Sequence, residues 1–158
     1  MTQATPVAAE PLRSDPLAPA DVPAVRALLV AGLAERWGDY EARFNPDIEA
    51  LGQAFDGRLT LVARQGALIV ATGALRPAGP GRFEIVRMSV AREQRRRGVG
   101  AQVLAALVDA ARERGARELV LETTLGWQSA IDFYERHGFR RTHVQGEDLW
   151  FVRPLAAG

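Results

Sequence analysis

The sequence predicts a single α/β or α+β domain built around one sheet. Strand-like and helical periodicities alternate along the chain, no internal repeat or interior linker divides it, and 158 residues is an ordinary length for one domain. The Ala- and Pro-rich segment over residues 1–18 predicts a flexible N-terminal tail, in which Pro11–Arg13 could enter an edge strand. The domain itself is then expected over residues 19–158.

The first half begins with helical elements. Asp21 is placed as the N-cap of a helix that has Pro23 in its first turn. Apolar residues at helical spacing carry that helix to about Trp37. Residues 39–46 form a polar and aromatic connection, and Asp47–Phe55 is predicted as a second, shorter helix.

Beyond this point the pattern changes to short β-branched runs separated by turns. Strands are expected over residues 59–63, 68–75, 83–90, 119–121, 139–144 and 149–152. Two helices interrupt them. One runs from about Gly98 to Arg114 with Gly115 as its C′ residue, and the other lies around residues 129–137 and is closed by Gly138.

The composition is that of an ordinary globular protein and excludes several functional classes. Twenty basic against 19 acidic side chains leave a net charge of +1, so no global field favours nucleic acid or an anionic membrane. The chain has no cysteine, which excludes a disulfide, a thiol nucleophile and a thiolate metal site. No signal peptide or transmembrane run is visible, so a cytoplasmic location is expected.

The most informative segment is RRRGVGA over residues 95–101, which joins a predicted strand to a predicted helix. Glycines at such a turn let a ligand approach the backbone, and the first amides of a helix have no intrahelical acceptor. Together with the helix dipole and three arginines, these amides suit a phosphorylated ligand. Ala101 and Gln102 exclude a Walker loop, and Val103 at the third glycine position disfavours a dinucleotide fingerprint. The alternative interpretation is a tight turn whose glycines serve only the backbone geometry.

Two blocks together resemble the GCN5-related N-acetyltransferase (GNAT) superfamily. RRRGVG at residues 95–100 is similar to its Q/R-x-x-G-x-G/A acyl-CoA loop, and residues 87–90 are similar to its fourth strand. Residues 121–139 resemble its A-I-x-x-Y-E-x-x-G-F segment. The resemblance covers residues 20–155 or so. It implies a mixed, mostly antiparallel central sheet with helices on both faces, splayed in the middle to admit acyl-CoA.

The resemblance also implies acetyl-CoA as acyl donor and direct acetyl transfer to a primary amine of a small molecule or peptide. Backbone amides of the loop would hold the pyrophosphate, and the arginine side chains would reach the phosphates. The pantetheine arm would pair with the fourth strand like an added strand. The implied cofactor-binding residues are Met88, Ser89, Val90, Arg95, Arg96, Arg97, Gly98, Val99, Gly100 and Ala101.

Tyr134 is the candidate general acid and Glu84 the candidate general base. A phenol with an unperturbed pKa near 10 is a reasonable proton source for a thiolate leaving group. The alternative for Tyr134 is a core tyrosine with a satisfied hydroxyl. Glu84 opens the strand beside which the resemblance places the amine, and its alternative is an exposed strand-end glutamate. Glu122 is a second candidate base.

The resemblance places the wall of the acceptor site between the first two helices, where Trp37 and Tyr40 lie among charges of both signs. Ordinary core packing is the alternative for these aromatic residues. Trp127 departs from the family pattern, because many members carry Asn or Gln three residues before the position of Ala130. An indole cannot accept a hydrogen bond as an amide does. Trp127 is therefore a candidate wall of the acceptor pocket, unless Gln128 takes over the role of the amide.

Two other functional classes stay open. A non-catalytic acyl-CoA-binding or regulatory module would keep the loop and lose the chemistry. A nucleic-acid patch over residues 92–97 is disfavoured by the near-zero net charge and the lack of interleaved aromatics. His137 and His143 are the only histidines and do not make a metal site, so no metal is expected. Neither nucleic acid nor membrane is an expected partner, and a homodimer stays open.

Overall fold

Seven strands form one mixed sheet in the computed structural model, which describes residues 12–53 and 56–156. The strands are β1 Leu12–Pro16, β2 Leu59–Gln65, β3 Leu68–Pro77, β4 Arg82–Val90, β5 Glu118–Thr124, β6 Arg140–Gln145 and β7 Asp148–Pro154. Their spatial order is β1-β2-β3-β4-β5-β7-β6. Among these strands, β4 and β5 are parallel neighbours and every other pair is antiparallel.

Helices cover both faces of the sheet. They are α1 Val22–Trp37, α2 Pro46–Glu49, α3 Val99–Glu113 and α4 Gln128–Arg136. On one face, α3 buries Val103, Leu104 and Leu107 against the sheet in the larger hydrophobic cluster. On the other face, Val25 of α1 and Ile48 of α2 pack in a second cluster. Helices on both faces and a mostly antiparallel sheet are what the sequence predicted.

The strands β4 and β5 separate after three residue pairs. Their ladder joins Arg82–Glu84 to residues 118–120 and then ends, although β4 continues to Val90 and β5 to Thr124. The β5-facing edge of β4 beyond Glu84 therefore borders an opening instead of a strand. We call this opening the β4–β5 splay.

The other edge of β4 contains a bulge. The register between β3 and β4 shifts at Gly73, which stands opposite both Arg87 and Met88. Arg87 has φ 54°, a left-handed conformation that bends the strand locally. A Cβ atom on Gly73 would lie 2.6 Å from Sδ of Met88 and 2.9 Å from Cδ1 of Leu107. The absence of a side chain at Gly73 thus lets Met88 pack between the bulge and α3.

Two element boundaries differ from the prediction. Leu12–Pro16 pairs with β2 as an edge strand, which confirms the alternative given for residues 12 and 13. The predicted tail over residues 1–18 is wrong from residue 12 onward, and residues 1–11 lie outside the described residues. The helix predicted over Asp47–Phe55 is only Pro46–Glu49, and residues 54–55 are not described. Ile48 is the buried residue of this helix, so a second helical turn would have little packing to stabilise it.

Asp21 stands at the predicted N-cap of α1, but its side chain does not cap the helix. The carboxylate accepts a 2.9 Å hydrogen bond from the amide of Ala18 and pairs with both terminal nitrogens of Arg64, at 3.0 and 2.8 Å. Asp21 therefore joins the start of α1 to β2. No helix in the described part of the chain is long and apolar enough to cross a membrane.

Candidate active site

A cavity of about 510 Å³ lies between the α1–α2 connection and the β4–β5 splay. This is a common size for a small-molecule site. Its helix side is formed by Leu33, Arg36, Trp37, Asp39, Tyr40, Glu41, Phe44 and Asn45. Its sheet side is formed by Arg87, Glu122, Thr123, Thr124 and Asp148. The cavity therefore contains two of the three predicted acceptor-site residues and opens at the splay.

Arg87 joins the bulge of β4 to the helix side of the cavity. Its guanidinium donates to both oxygens of Asp47, at 2.8 and 2.7 Å, and to Oδ1 of Asn45 at 3.1 Å. Arg58 donates to the same carboxylate at 3.1 Å. Burial raises the pKa of Asp47, but the hydrogen bonds and charges of Arg87 and Arg58 outweigh it and bring the pKa to about 2. Asp47 is thus a firmly ionised anchor for this wall.

The predicted phosphate loop has the backbone of an anion site. Gly98 is the N-cap of α3 with φ 75°, and Arg96 is also left-handed, with φ 66°. The first hydrogen bond of the helix runs from the amide of Gln102 to the carbonyl of Gly98 at 3.1 Å. The preceding amides consequently have no intrahelical acceptor. No described atom lies within 4 Å of a Cβ built on Gly98, so the space above the loop is open.

The three loop arginines do not share one environment. Arg95 donates to both oxygens of Glu35 in α1, at 2.7 and 2.9 Å, and to the carbonyl of Val90 at 3.3 Å. This side chain is therefore engaged with Glu35, whereas the sequence analysis assigned it to the phosphates. Arg96 and Arg97 are exposed, and within the described ranges neither has a polar partner. They are the side chains available to an anion.

The other residues predicted to bind the cofactor lie at the end of β4 and the start of α3. Met88 packs against the larger core, whereas Ser89 faces α1, where its Oγ would be 2.9 Å from a Cβ on Gly32. Val90 lies beside Gly100: a Cβ built on Gly100 would be 3.5 Å from Cγ2 of Val90.

Tyr134 of α4 is half-buried among aromatic rings. Its ring centroid is 5.2 Å from that of Phe133, 5.8 Å from that of Phe139 and 6.2 Å from that of Phe151. Burial raises the pKa of the phenol to about 12, and the charge of Arg36 opposes that shift. No hydrogen bond to the hydroxyl is formed by the residues that the structure describes. Tyr134 therefore has a protonated hydroxyl without a protein partner.

The two candidate bases face different surroundings. Glu84 is 8% exposed and accepts a 3.0 Å hydrogen bond from Arg76, and it does not line the cavity. Glu122 is exposed and does line the cavity. Desolvation raises the pKa of Glu122, and the negative charges of Asp148 and Glu84 raise it further. The structure thus favours Glu122 over Glu84, the reverse of the order that the sequence suggested.

The three predicted acceptor-site aromatics have different roles. Trp37 is 55% exposed at the cavity edge, and Trp127 is 43% exposed at the start of α4. The hydroxyl of Tyr40 donates to Glu49 at 2.6 Å; burial and this carboxylate raise the pKa of Tyr40 to about 12. Arg36 lies between the two tryptophans, with its guanidinium carbon 3.9 Å from the Trp127 ring centroid and 5.1 Å from that of Trp37. This arginine connects Trp127 to the cavity.

Thr123 is a site residue that the sequence analysis missed. It is only 5% exposed, yet its Oγ1 has no hydrogen-bond partner and the residue lines the cavity. A buried hydroxyl without a partner carries a desolvation cost that a bound ligand can remove. Its position at the end of a buried strand was readable from sequence, but the divergence of the neighbouring strand was not. Among the described residues, no cluster of His, Asp and Glu is arranged to hold a metal.

The chain belongs to the acetyltransferase (GNAT) family, whose sequence profile matches residues 23–139. This confirms the resemblance drawn from the two motif blocks and places the chain in a class of acetyltransferases. N-alpha-acetyltransferase 30 of Schizosaccharomyces pombe is 39% identical over 57 residues, 36% of this chain and 38% of that protein. N-acetyltransferase 8 of Rattus norvegicus is 33% identical over 98 residues, 58% of this chain and 44% of that protein. The chain spans less than two thirds of the curated relatives it matches.

Solved structures show the same fold at low sequence identity. A GNAT-family acetyltransferase from Staphylococcus aureus Mu50 superposes with a TM-score of 0.82 at 16% identity, covering 92% of this chain and 100% of that one. The PaiA N-acetyltransferase of Thermoplasma acidophilum, solved in complex with coenzyme A, gives a TM-score of 0.79 at 14% identity, covering 92% and 99%. These likenesses confirm the predicted fold class.

Proposed function

We propose that this chain is an acetyl-CoA-dependent N-acetyltransferase that transfers the acetyl group directly to a primary amine of a small molecule or peptide. The observation that carries the proposal is the continuity of the β4–β5 splay. One end of its β4 edge continues through Val90 into the α3 loop, and the same splay opens on the cavity beside Arg87 and Glu122. A donor bound along β4 would thus present its reactive end to an acceptor in the cavity.

The residues present fit coenzyme A as the group that carries the acetyl. The open space above Gly98 and the free amides at the start of α3 suit a pyrophosphate, and Arg96 and Arg97 are available to other phosphates. The unpaired edge of β4 suits an extended, amide-containing arm. The coenzyme A complex of the Thermoplasma acidophilum protein, which shares this fold, supports the assignment.

Acetyl-CoA, when bound, supplies a thioester carbonyl that an amine attacks with loss of the CoA thiolate. Tyr134 is proposed as the acid, because its hydroxyl is protonated and has no partner in the described protein. We move the proposed base from Glu84 to Glu122, which lines the cavity and has a raised pKa. Backbone amides at the β4 bulge are the proposed donors to the carbonyl oxygen.

Release of free thiol tests this function. The purified chain with acetyl-CoA is mixed with a panel of amino acids, peptides, polyamines and simple primary amines, and thiol is measured over time. We expect release that depends on the amine and scales with enzyme. Tight CoA binding without amine-dependent release would instead indicate a non-catalytic acyl-CoA-binding module. A thermal shift with RNA or DNA, but none with CoA, would contradict both functions.

A further inference from the structure

Arg36 is a half-buried arginine that faces the cavity without an acidic partner. It lies in the last turn of α1 and lines the cavity. Across the described residues it makes no ion pair and no hydrogen bond, and its contacts are the faces of Trp37 and Trp127. By contrast, Arg87, the other arginine of the cavity wall, is fully engaged with Asp47 and Asn45.

An arginine held in this way is prepared for an anion. Stacking on indole rings holds the guanidinium in place and partly compensates its lost hydration. The N–H groups at its edge still need acceptors, because a ring face accepts them poorly. Burial lowers the pKa of Arg36, and the nearby Tyr134, Asp148 and Glu122 oppose that shift. An anionic group entering the cavity would supply the missing partner.

The remaining charges of the cavity restrict which anion is suitable. Asp39, Glu122 and Asp148 also line it, and Glu41 does so while paired with Arg43, so the free charge of the wall is mainly negative. A doubly charged phosphate would meet repulsion there, whereas a carboxylate can take the two-pronged geometry that a single guanidinium offers. The same acidic residues suit an ammonium group. The cavity therefore complements a molecule with separate positive and negative ends.

We infer that Arg36 binds the carboxylate of the acceptor, so that the preferred substrates are amines that also carry a carboxylate, such as free amino acids or peptides. The inference rests on the proposed N-acetyltransferase function and adds the substrate class. In this arrangement the amine lies toward Glu122 and Asp148, and the carboxylate lies against Arg36 between the two tryptophans.

Matched acceptors test the inference. Glycine, lysine and phenylalanine are each compared as the free acid, the α-carboxamide and the decarboxylated amine, and kcat/KM is measured by thiol release. In the wild type we expect the preferred free acid to exceed its carboxamide by about tenfold to a hundredfold, the size of a lost charge-assisted contact. Arg36→Gln should remove this ratio by slowing the free acid alone, and Arg36→Lys should keep part of it.

Arg43→Gln is the matched control. Arg43 also lies over an aromatic ring, with its guanidinium carbon 4.6 Å from the centroid of Phe44, but it pairs with Glu41 and is exposed. This variant should keep the wild-type ratio. The wild-type ratio needs no variant, so the predicted preference for a carboxylate is tested even if an Arg36 variant fails to fold.

Two results would overturn the assignment of Arg36 while leaving the acetyltransferase function intact. One is a wild-type kcat/KM that is the same for the free acid and for its carboxamide. The other is an equal loss on all three forms of an acceptor in Arg36→Gln, which would mean that Arg36 does not recognise the carboxylate. Failure of every acceptor to release thiol would contradict the proposed function itself, and the inference with it.

Discussion

Glu84 and Glu122 show how a single residue's role depends on contacts that its own strand does not reveal. Both are glutamates on neighbouring strands, and the parallel ladder pairs Glu84 with Val120, two residues before Glu122. The strands part at this point, so Glu122 reaches the cavity while Glu84 turns to Arg76 across β3 and β4. The divergence is a non-local property, so neither the strand pattern nor the family resemblance could show which of the two glutamates lines the cavity.

Glu122→Gln should slow acetyl transfer most at pH values above the pKa of Glu122 and well below that of the amine. The carboxylate accepts a proton only when it is ionised. Because the pKa of Glu122 is raised, the wild type should lose rate at a higher pH than it would with a glutamate of ordinary pKa. The deficit of the variant should shrink as the pH approaches the amine's own pKa near 10, where the acceptor is already neutral. A pH–rate profile at saturating acetyl-CoA measures this.

Glu84→Gln serves as the comparison, because it changes the same functional group outside the cavity and affects the pairing with Arg76. Its profile should run parallel to that of the wild type. If Glu84→Gln instead produces this deficit and Glu122→Gln does not, the original assignment of Glu84 is the better one.

Tyr134→Phe should reduce turnover by roughly 10²–10⁴ while acetyl-CoA still binds, the usual contribution of a general acid. The change removes one hydroxyl and leaves the ring packed against Phe133, Phe139 and Phe151. Calorimetry reports binding, and thiol release reports turnover. Turnover within about twofold of the wild type would show that solvent or another group protonates the thiolate.

Among the elements, α3 and its preceding loop were predicted closely, because their signals are local. Glycines, helical spacing and the C′ residue Gly115 all lie within the segment that they define. The pairing of Arg95 with Glu35 is different, since the two residues are 60 positions apart. No local pattern could show that one of three adjacent arginines was already engaged with α1.

Gly98→Ala and Gly115→Ala form a matched pair at opposite ends of α3. Both glycines have left-handed φ, 75° and 77°, and neither has an atom within 4 Å of an added Cβ. Each substitution should therefore cost about 1–2 kcal/mol of unfolding free energy from backbone strain. Only Gly98→Ala should weaken CoA binding, by about tenfold or more, since its Cβ enters the space proposed for the pyrophosphate. CoA affinity is measured by calorimetry on folded protein. If Gly98→Ala and Gly115→Ala bind CoA equally well, the loop is only a turn and does not bind the pyrophosphate.

The ion pair between Arg87 and Asp47 should make the unfolding free energy depend on pH in the acid range. Asp47 has a folded pKa of about 2, below its ordinary 3.8. The stability that it contributes is complete above the ordinary pKa and is lost as the pH falls toward 2. Asp47→Asn should cost roughly 1.5–3 kcal/mol near neutral pH, as expected for hydrogen bonds to a charged group.

Denaturant unfolding of the wild type and of Asp47→Asn across this range measures the effect. The difference in unfolding free energy between the two should narrow from pH 4 downward, for as long as both stay folded. A difference that does not change with pH would mean that the ionised carboxylate contributes nothing specific, and that shape alone explains the loss.

At the scale of the whole molecule, the fold class and the order of the elements could be read from the sequence. Alternating periodicities located β2 to β5, β7, α1, α3 and α4, since each of these elements has its own buried face. The strand β6 was also predicted, although all of its residues are exposed. The edge strand β1 and the short α2 were less predictable, because their packing depends on β2 and on the Arg87–Asp47 anchor. The cavity was not predictable in detail, since it is assembled from α1, the α1–α2 connection, β4, β5 and β7.

The transfer of a labelled acetyl group tests the central claim most directly. The chain is incubated with acetyl-CoA that carries isotopic label in the acetyl group and with the acceptor that gave the highest thiol release. Mass spectrometry then follows the acceptor. We predict one labelled acetyl on the amine nitrogen for each thiol released, and almost none with Tyr134→Phe over the same time. Release of thiol without labelled acceptor would show hydrolysis in place of transfer, and would contradict the proposed function.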